Sequence, residues 1–209
     1  MSNNFQYNRA KLKAVILHVC GKCPPEQLGA VKLHKVLYFA DMIRYAQTGQ
    51  PLTGAEYRKR PFGPTCVQLL TIMRDLEQAG SLSVRDVDYF GYRKKDYVAL
   101  KAPDEDALSD SEIGLLDEVV DFVCARNTAR TISDFSHQEP WERVGFGDII
   151  SYRSAYLLFP SIVSEEAFEA TLKGVKQVEE ARQNGDAVIF ADFGNLRRRL
   201  RPEGRPLPN

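Results

Sequence analysis

The sequence has few of the residues and motifs from which enzyme active sites are built. Only three histidines occur among 209 residues, and no GxSxG, P-loop or GxGxxG motif is present. Four cysteines are also few, because a short secreted scaffold held together by disulfides would have more. We therefore expect a protein that is not an enzyme and that needs no cofactor.

The chain also lacks net charge and long apolar runs. Its 28 basic residues are balanced by 28 acidic ones, which argues against a bulk nucleic-acid binder but allows a local basic patch. No apolar run approaches the roughly 18 residues that a membrane span needs. The polar stretch from Met1 to Ala10 shows no signal peptide. We expect a cytoplasmic protein with no membrane partner.

The cysteines include a CxxC motif, Cys20-Gly21-Lys22-Cys23, with His18 nearby. This pattern raises the question of a zinc or redox site. A structural zinc site needs four ligands, and no second CxxC or HxxxH completes the set. We expect no metal, and we interpret these thiols as buried residues at the end of a helix.

Apolar periodicity predicts a mostly helical domain. Helices are predicted over Ala10–Cys20 and Ala30–Gln47, and Pro64 is expected to begin the next helix. A capping box at Ser109 and Glu112 starts a further helix that runs to about Cys124. The third helix is expected to end near Gly80 and to bury four apolar side chains, Leu69, Leu70, Met73 and Leu76.

Strands are predicted at Tyr57–Arg60 and, as an antiparallel pair, within Leu82–Leu100. The predicted fold class is therefore mostly α with a small antiparallel β-hairpin, an α+β helical domain with a winged-helix-like ribbon. Such a ribbon offers an alternative function, a DNA-binding transcription regulator that represses its own promoter. Its phosphate contacts would come from Arg93–Lys95 and Arg58–Arg60, and the neutral total charge makes this the less favoured interpretation.

The long second helix carries a row of polar and aromatic residues. His34, Tyr38, Asp41 and Tyr45 recur at helical spacing, and we interpret them as a hydrogen-bonded, exposed face used for structure or partner contact rather than for catalysis. The single tryptophan, Trp141, follows His137 in an irregular segment. We expect Trp141 to hold this segment on the core while a backbone group satisfies His137.

Several of these motifs together resemble one known family, the SocA-like antitoxin domain, also named Panacea. The resemblance covers roughly residues 12 to 158, and Phe62 stands where the family often has Tyr before Gly-Pro. The matching motifs are Leu33 to Asp41 (LHKVLYFAD), Gly49 to Thr53 (GQPLT), Tyr57, Phe62-Gly63-Pro64, the capped helix at Glu112, and Ser136-His137 with Trp141.

The resemblance implies an antitoxin that neutralises a cognate toxin, encoded nearby, by direct protein–protein binding. Members of this family are common in prophages and other mobile elements. A homo-oligomer stays open, and DNA is a less favoured partner. The surface Tyr and Arg residues fit a binding protein. The candidate partner-binding residues are His34, Tyr38, Asp41, Tyr45, Tyr57, Arg58, Phe62, His137 and Trp141.

The C-terminal part lies outside the resemblance. We divide the chain into an antitoxin domain at 1–160, a helical extension at 161–196 and an Arg/Pro-rich flexible tail at 197–209. The extension is expected to contain a helix from Glu165 to Gln183, with an apolar stripe that packs on the domain or on a second copy.

Overall fold

The computed structural model describes residues 5–89 and 91–158 of the chain. The predicted helix at Glu165–Gln183, the extension at 161–196 and the tail at 197–209 lie outside the described residues, so these assignments stay predictions. Within the described part, the helices are α1 (Arg9–Lys22), α2 (Ala30–Thr48), α3 (Leu69–Gln78), α4 (Asp110–Val120), α5 (Ala129–Phe135) and α6 (Glu139–Glu142).

Shorter helical turns and two hairpins complete this part. A π-helical turn, Asp121–Ala125, continues α4, and 3-10 helices lie at Glu105–Ala107 and Tyr152–Leu157. The strands are β1 (Tyr57–Arg60), β2 (Gly63–Cys66), β3 (Leu82–Tyr89) and β4 (Tyr92–Ala99). They form two separate antiparallel hairpins, β1–β2 and β3–β4. The predicted fold class, mostly α within α+β, is confirmed.

Helix α2 lies at the centre of the domain. It packs against α1, α4, α5, β2 and the 3-10 helix at Tyr152–Leu157. Its predicted apolar stripe is buried, since Leu33, Val36 and Leu37 are almost completely inaccessible. The helix ends at Gly49, which adopts a left-handed φ of 76° that a residue with a side chain would tolerate poorly. The central helix therefore contacts the β1–β2 hairpin through β2 and carries four of the candidate residues itself.

Two expectations about the third helix are wrong. Pro64 does not begin it, because Pro64 pairs with Lys59 in the β1–β2 hairpin and the helix begins at Leu69. Leu70 is 70% exposed, whereas Ile72 is buried. The buried positions 69, 72, 73 and 76 follow the i, i+3, i+4, i+7 pattern of one helix face, and position 70 lies outside that face.

The predicted helix signals at Gly80 and Ser109 are confirmed. Gly80 follows the C-cap of α3 with a φ of 61°. The capping box of α4 is present, and the Glu112 carboxylate accepts a hydrogen bond from the Ser109 backbone N–H at 2.9 Å. The same carboxylate lies 2.5 Å from Lys11 Nζ of α1. This cap therefore also joins α4 to α1.

Candidate partner-binding site

The polar row on α2 is not an exposed face. Tyr38 and Asp41 are completely buried, Tyr45 is nearly so, and His34 is only partly accessible. The prediction that this face is exposed is therefore wrong, although hydrogen bonds do form along it. This side of α2 is buried because segments distant in sequence cover it. Strand β2 packs along α2, and so does the 3-10 helix at Tyr152–Leu157.

Asp41 is the centre of a buried hydrogen-bond network. Its carboxylate accepts hydrogen bonds from the Thr53 backbone N–H at 2.6 Å, the Thr53 hydroxyl at 2.6 Å and the Tyr57 hydroxyl at 2.7 Å. The Tyr152 hydroxyl donates to the Ala55 carbonyl at 2.6 Å beside this network. Burial raises the pKa of Asp41, although the hydrogen bonds from Thr53 and Tyr57 lower it. The network joins α2 to the loop before β1, to β1 itself and to the last 3-10 helix.

Aromatic rings surround this network. The Tyr38 and Tyr57 rings meet edge to face with centroids 5.4 Å apart, and Tyr57 meets Tyr152 at 6.2 Å. Tyr57 is completely buried, and desolvation, followed by the Asp41 charge, raises its pKa well above 10.0. Within the described part of the chain, the Tyr38 hydroxyl has no hydrogen-bond partner. These three predicted site residues (Tyr38, Asp41 and Tyr57) support the domain from inside.

His34 and Lys35 connect α2 to the β1–β2 hairpin. His34 Nδ1 accepts a hydrogen bond from the Cys66 N–H at 3.1 Å, and burial, with a smaller contribution from Lys35, lowers the pKa of His34 to about 4. Lys35 is buried, its ammonium donates to the Pro64 carbonyl at 3.0 Å, and burial lowers its pKa to about 7. Lys35 is not recognisable as a buried residue from the sequence, because a lysine is usually exposed.

Gly63 makes the close approach of α2 to this hairpin feasible. Its φ is 89°, and a Cβ at this position would lie 2.7 Å from Lys35 Nζ and would collide with the Ser136 hydroxyl. A side chain here would therefore force the Ser136 hydroxyl, the Lys35 side chain or the hairpin to shift. The motif Phe62-Gly63-Pro64 therefore has a steric meaning that the sequence alone did not reveal.

Aromatic side chains gather on the surface beside the tip of the β1–β2 hairpin. Phe62 is 70% exposed and Phe146 is 67% exposed, while Trp141 is partly exposed. The Trp141 and Phe146 rings meet edge to face at 5.8 Å. The Trp141 indole N–H donates to the Arg60 carbonyl at 3.2 Å, which brings the ring to the hairpin two residues before Phe62. We name Phe62, Trp141 and Phe146 the aromatic surface.

Lys59 contacts two of the three rings of the aromatic surface, those of Trp141 and Phe146. The side chain is largely buried, and its ammonium lies 4.0 Å from the Trp141 ring centroid and 5.1 Å from that of Phe146. The same ammonium donates to the Val144 carbonyl at 2.8 Å. A cation over two rings favours one fixed arrangement of both. The prediction that Trp141 fixes its segment on the domain agrees with these contacts.

His137 behaves differently from the prediction. Its ring stacks on Trp141 with centroids 4.0 Å apart and an interplanar angle of 19°. Its Nε2 is buried and has no hydrogen-bond partner within the described part of the chain, so the expected backbone partner is not found at this atom. Burial, assisted by the charge of Lys35, lowers the pKa of His137. A neutral imidazole can stack on the indole without desolvating a charge.

The remaining predicted residues lie at the edges of this region. Arg58 is half-buried, its Nε donates to the Glu56 carboxylate at 2.7 Å, and its guanidinium also bonds the Gly147 carbonyl at 3.0 Å. Tyr45 packs against Phe5 with ring centroids 5.3 Å apart. The structure thus brings Arg58, Phe62, His137 and Trp141 together near the hairpin, and it places Phe146, which the sequence analysis missed, beside them.

Charges on the β3–β4 hairpin are paired along the ribbon itself. Lys94 lies 2.7 Å from Asp96, and Lys95 lies 3.3 Å from Asp86 on the facing strand. Arg85, Asp88 and Arg93 add further charges of both signs. Ion pairs of this kind oppose the accumulation of positive potential that phosphate binding requires. This hairpin gives no support to the DNA-binding alternative.

Among the described residues, no group of three or more His, Cys, Asp or Glu side chains is placed to hold a metal ion. The CxxC cysteines are free thiols, and both are buried, as predicted. Across residues 5–89 and 91–158, no helix combines the length and apolar character that crossing a bilayer requires.

Taken together, the fold is a mostly helical domain with a preformed aromatic surface, the type of surface that protein partners occupy. The family model for the antitoxin SocA-like, Panacea domain matches residues 33–142, more than half of the chain, and the protein belongs to this family. The match includes Phe62 and ends just after Trp141. No curated protein and no solved structure shows significant similarity to the chain. Membership supports a toxin–antitoxin role in general and suggests a non-enzymatic protein.

Proposed function

We propose that this protein is an antitoxin that neutralises a cognate toxin by direct binding through the aromatic surface. Family membership supports the antitoxin role. The observation that carries the location is the exposure of Phe62 and Phe146. The Phe146 ring contacts Trp141, and Phe62 lies two residues after the Arg60 carbonyl that binds the Trp141 indole. The proposal includes a toxin gene next to this one, on a prophage or other mobile element, and a cytoplasmic site of action.

Two strongly exposed phenylalanines near a partly exposed tryptophan are unusual for a domain that binds nothing. A single exposed apolar side chain is common, but grouped aromatic side chains mark binding sites. Aromatic residues also dominate the energetics of protein interfaces. Because Lys59 and the Arg60 carbonyl already hold Trp141, binding would cost little ordering of this side chain.

The predicted site residues divide into two groups under this proposal. Phe62 and Trp141 contact the toxin directly, with Arg58 and His137 at the margin. Tyr38, Asp41, Tyr45 and Tyr57 are buried, and His34 is only partly accessible, so these residues hold the hairpin that presents the surface.

The test uses the product of the neighbouring gene as the probe. Phe62→Ala and Phe146→Ala should each weaken toxin binding at least about tenfold, equivalent to roughly 1.4 kcal/mol, and reduce growth rescue on co-expression. Both variants should keep the stability of the parent within about 0.5 kcal/mol, because neither side chain is buried. Leu70→Ala is the matched control, since Leu70 is equally exposed, at 70%, on α3 outside the aromatic surface.

Two results would count against the proposal in different ways. Equal binding by Phe62→Ala, Phe146→Ala and the parent protein would show that the toxin contacts another surface. Growth rescue by far less antitoxin than toxin, with no complex recovered by pull-down, would instead reject neutralisation by binding.

A further inference from the structure

The indole of Trp141 is in contact with two groups that can carry a positive charge. The His137 ring stacks on it, with centroids 4.0 Å apart and an interplanar angle of 19°, and the Lys59 ammonium lies over the same indole, also 4.0 Å from its centre. The same indole donates to the Arg60 carbonyl of β1. The charge state of His137 therefore bears directly on the ring that joins α6 to the β1–β2 hairpin.

The position of His137 suits a neutral imidazole. Its Nε2 is buried and has no hydrogen-bond partner among the residues that the structure describes. Both ring nitrogens of an imidazolium carry a proton, so protonation in place would leave a charged N–H donor buried without an acceptor. Such a donor is costly, because it has lost its hydrogen bonds to water and gained none in return. A neutral ring avoids this cost when Nε2 is the unprotonated nitrogen.

Charges on four neighbouring elements act on this imidazole. Lys35 of α2 and Lys59 of β1 oppose its protonation, whereas Asp134 of α5 and Glu142 of α6 favour it. Both lysines are buried, and both carboxylates belong to exposed residues, where water and salt screen their charge. Burial, followed by the charge of Lys35, therefore lowers the pKa of His137 from its ordinary value of 6.5.

Attraction between a cation and the indole face does not offset this cost. A protonated histidine can stack favourably on a tryptophan ring. Here the Lys59 ammonium already lies over Trp141, so an imidazolium would bring a second positive charge to the same indole. Two like charges close to one ring repel each other. His137 is partly accessible, so a charged ring can leave the stack for water.

We propose that His137 is a pH-sensitive contact whose protonation breaks its stack on Trp141 and loosens the aromatic surface in acid. The imidazolium rotates into solvent, and the indole loses one of the groups that hold it. The loss of the stack is a property of the free protein. Its consequence for the partner, a lower toxin affinity in acid than at neutral pH, rests on the proposed function.

The experiment follows the free full-length protein by NMR from neutral pH to the onset of acid unfolding, which circular dichroism marks. The His137 ring protons, assigned by their absence in His137→Gln, should be displaced upfield by the indole at neutral pH. Below pH 6.5 they should move to the positions of an unstacked imidazolium. The fluorescence of Trp141, the only tryptophan, should shift to longer wavelength over the same pH range.

Two variants show whether His137 causes the change. His137→Phe keeps an uncharged ring beside the indole, and its Trp141 emission should stay constant over this pH range. His18→Gln is the matched control and should keep the transition, because His18 lies on α1 and pairs with Asp117 at 2.8 Å.

Three results would overturn the proposal. The His137 protons could titrate yet keep their upfield displacement, which would show an imidazolium that stays stacked. They could also remain unchanged until the protein unfolds. The third is the same shift of Trp141 emission in folded His137→Phe. The first two are measured on the parent protein, so they decide the matter even if a variant fails to fold. A toxin that does not bind at any pH would reject the proposed function and leave these measurements unaffected.

Discussion

Replacing Asp41 with alanine removes the acceptor from a fully buried hydrogen-bond network. Asp41 has no accessible surface, and its carboxylate accepts three hydrogen bonds of 2.6 to 2.7 Å from Thr53 and Tyr57. Each buried donor left without a partner costs about 1–3 kcal/mol. The substitution also removes a destabilising contribution, the cost of desolvating the carboxylate. The same desolvation raises the pKa of Asp41. We expect a net loss of about 3–5 kcal/mol in the free energy of unfolding.

Urea unfolding followed by tryptophan fluorescence and circular dichroism would measure this loss. For a chain of this length, about 3–5 kcal/mol lowers the melting temperature by roughly 10 °C. Asp41→Asn should cost less, because the amide keeps the size and one acceptor oxygen. Asp75→Ala is the matched control: Asp75 pairs with Arg9 at the surface, and such pairs contribute about 1 kcal/mol at most.

The comparison between the two alanine variants tests the reasoning directly. If Asp41→Ala is no less stable than Asp75→Ala, the Asp41 network contributes nothing net and our account of the domain interior fails. If Asp41→Ala instead keeps its stability and loses only toxin binding, the original interpretation of Asp41 as a contact residue would be restored.

Three further substitutions test the packing of α2 and its hairpin. Gly63→Ala should destabilise the protein by at least about 2 kcal/mol more than Gly80→Ala in urea unfolding, because both glycines have positive φ but only Gly63 has close neighbours. Leu37→Ala should cost about 2–5 kcal/mol in the same assay, and Leu70→Ala should change stability little. The folded-state pKa of His34 is about 4 against 6.5 when unfolded, so its contribution is complete above pH 6.5 and is lost as the pH falls towards 4. His34→Gln should therefore reduce the acid sensitivity of stability between pH 6.5 and 4.

The elements of this domain were predictable where local signals and periodicity agree. The apolar stripe containing Leu33, Val36 and Leu37 predicted both α2 and its buried side. The capping residues of α4 predicted where that helix begins, and the glycine after α3 predicted where α3 ends. Both predictions succeeded because capping signals act within a few residues. Pro64 misled the prediction, because proline is tolerated both at a helix start and in an edge strand.

The side chains of the candidate site were harder to predict, because their environment comes from distant segments. Tyr38 and Asp41 have the spacing of an exposed polar face, yet Tyr57 and Tyr152 close over them. A buried carboxylate is recognisable only once its donors are known. Phe146 was not predicted as a site residue, because nothing in its local sequence indicates that its ring contacts Trp141 on the surface.

Strand β1 connects the buried network to the aromatic surface. Tyr57, at its first position, bonds Asp41, and Arg60, at its last, accepts the Trp141 indole N–H. At about 3.3 Å per residue, these two anchors lie roughly 10 Å apart along one short strand. Folding therefore fixes β1 and the Trp141 ring before any partner arrives, so the ordering of Trp141 adds little to the cost of binding. A buried aspartate can thus raise the affinity of a surface that it never touches, because pre-organisation lowers the cost of binding.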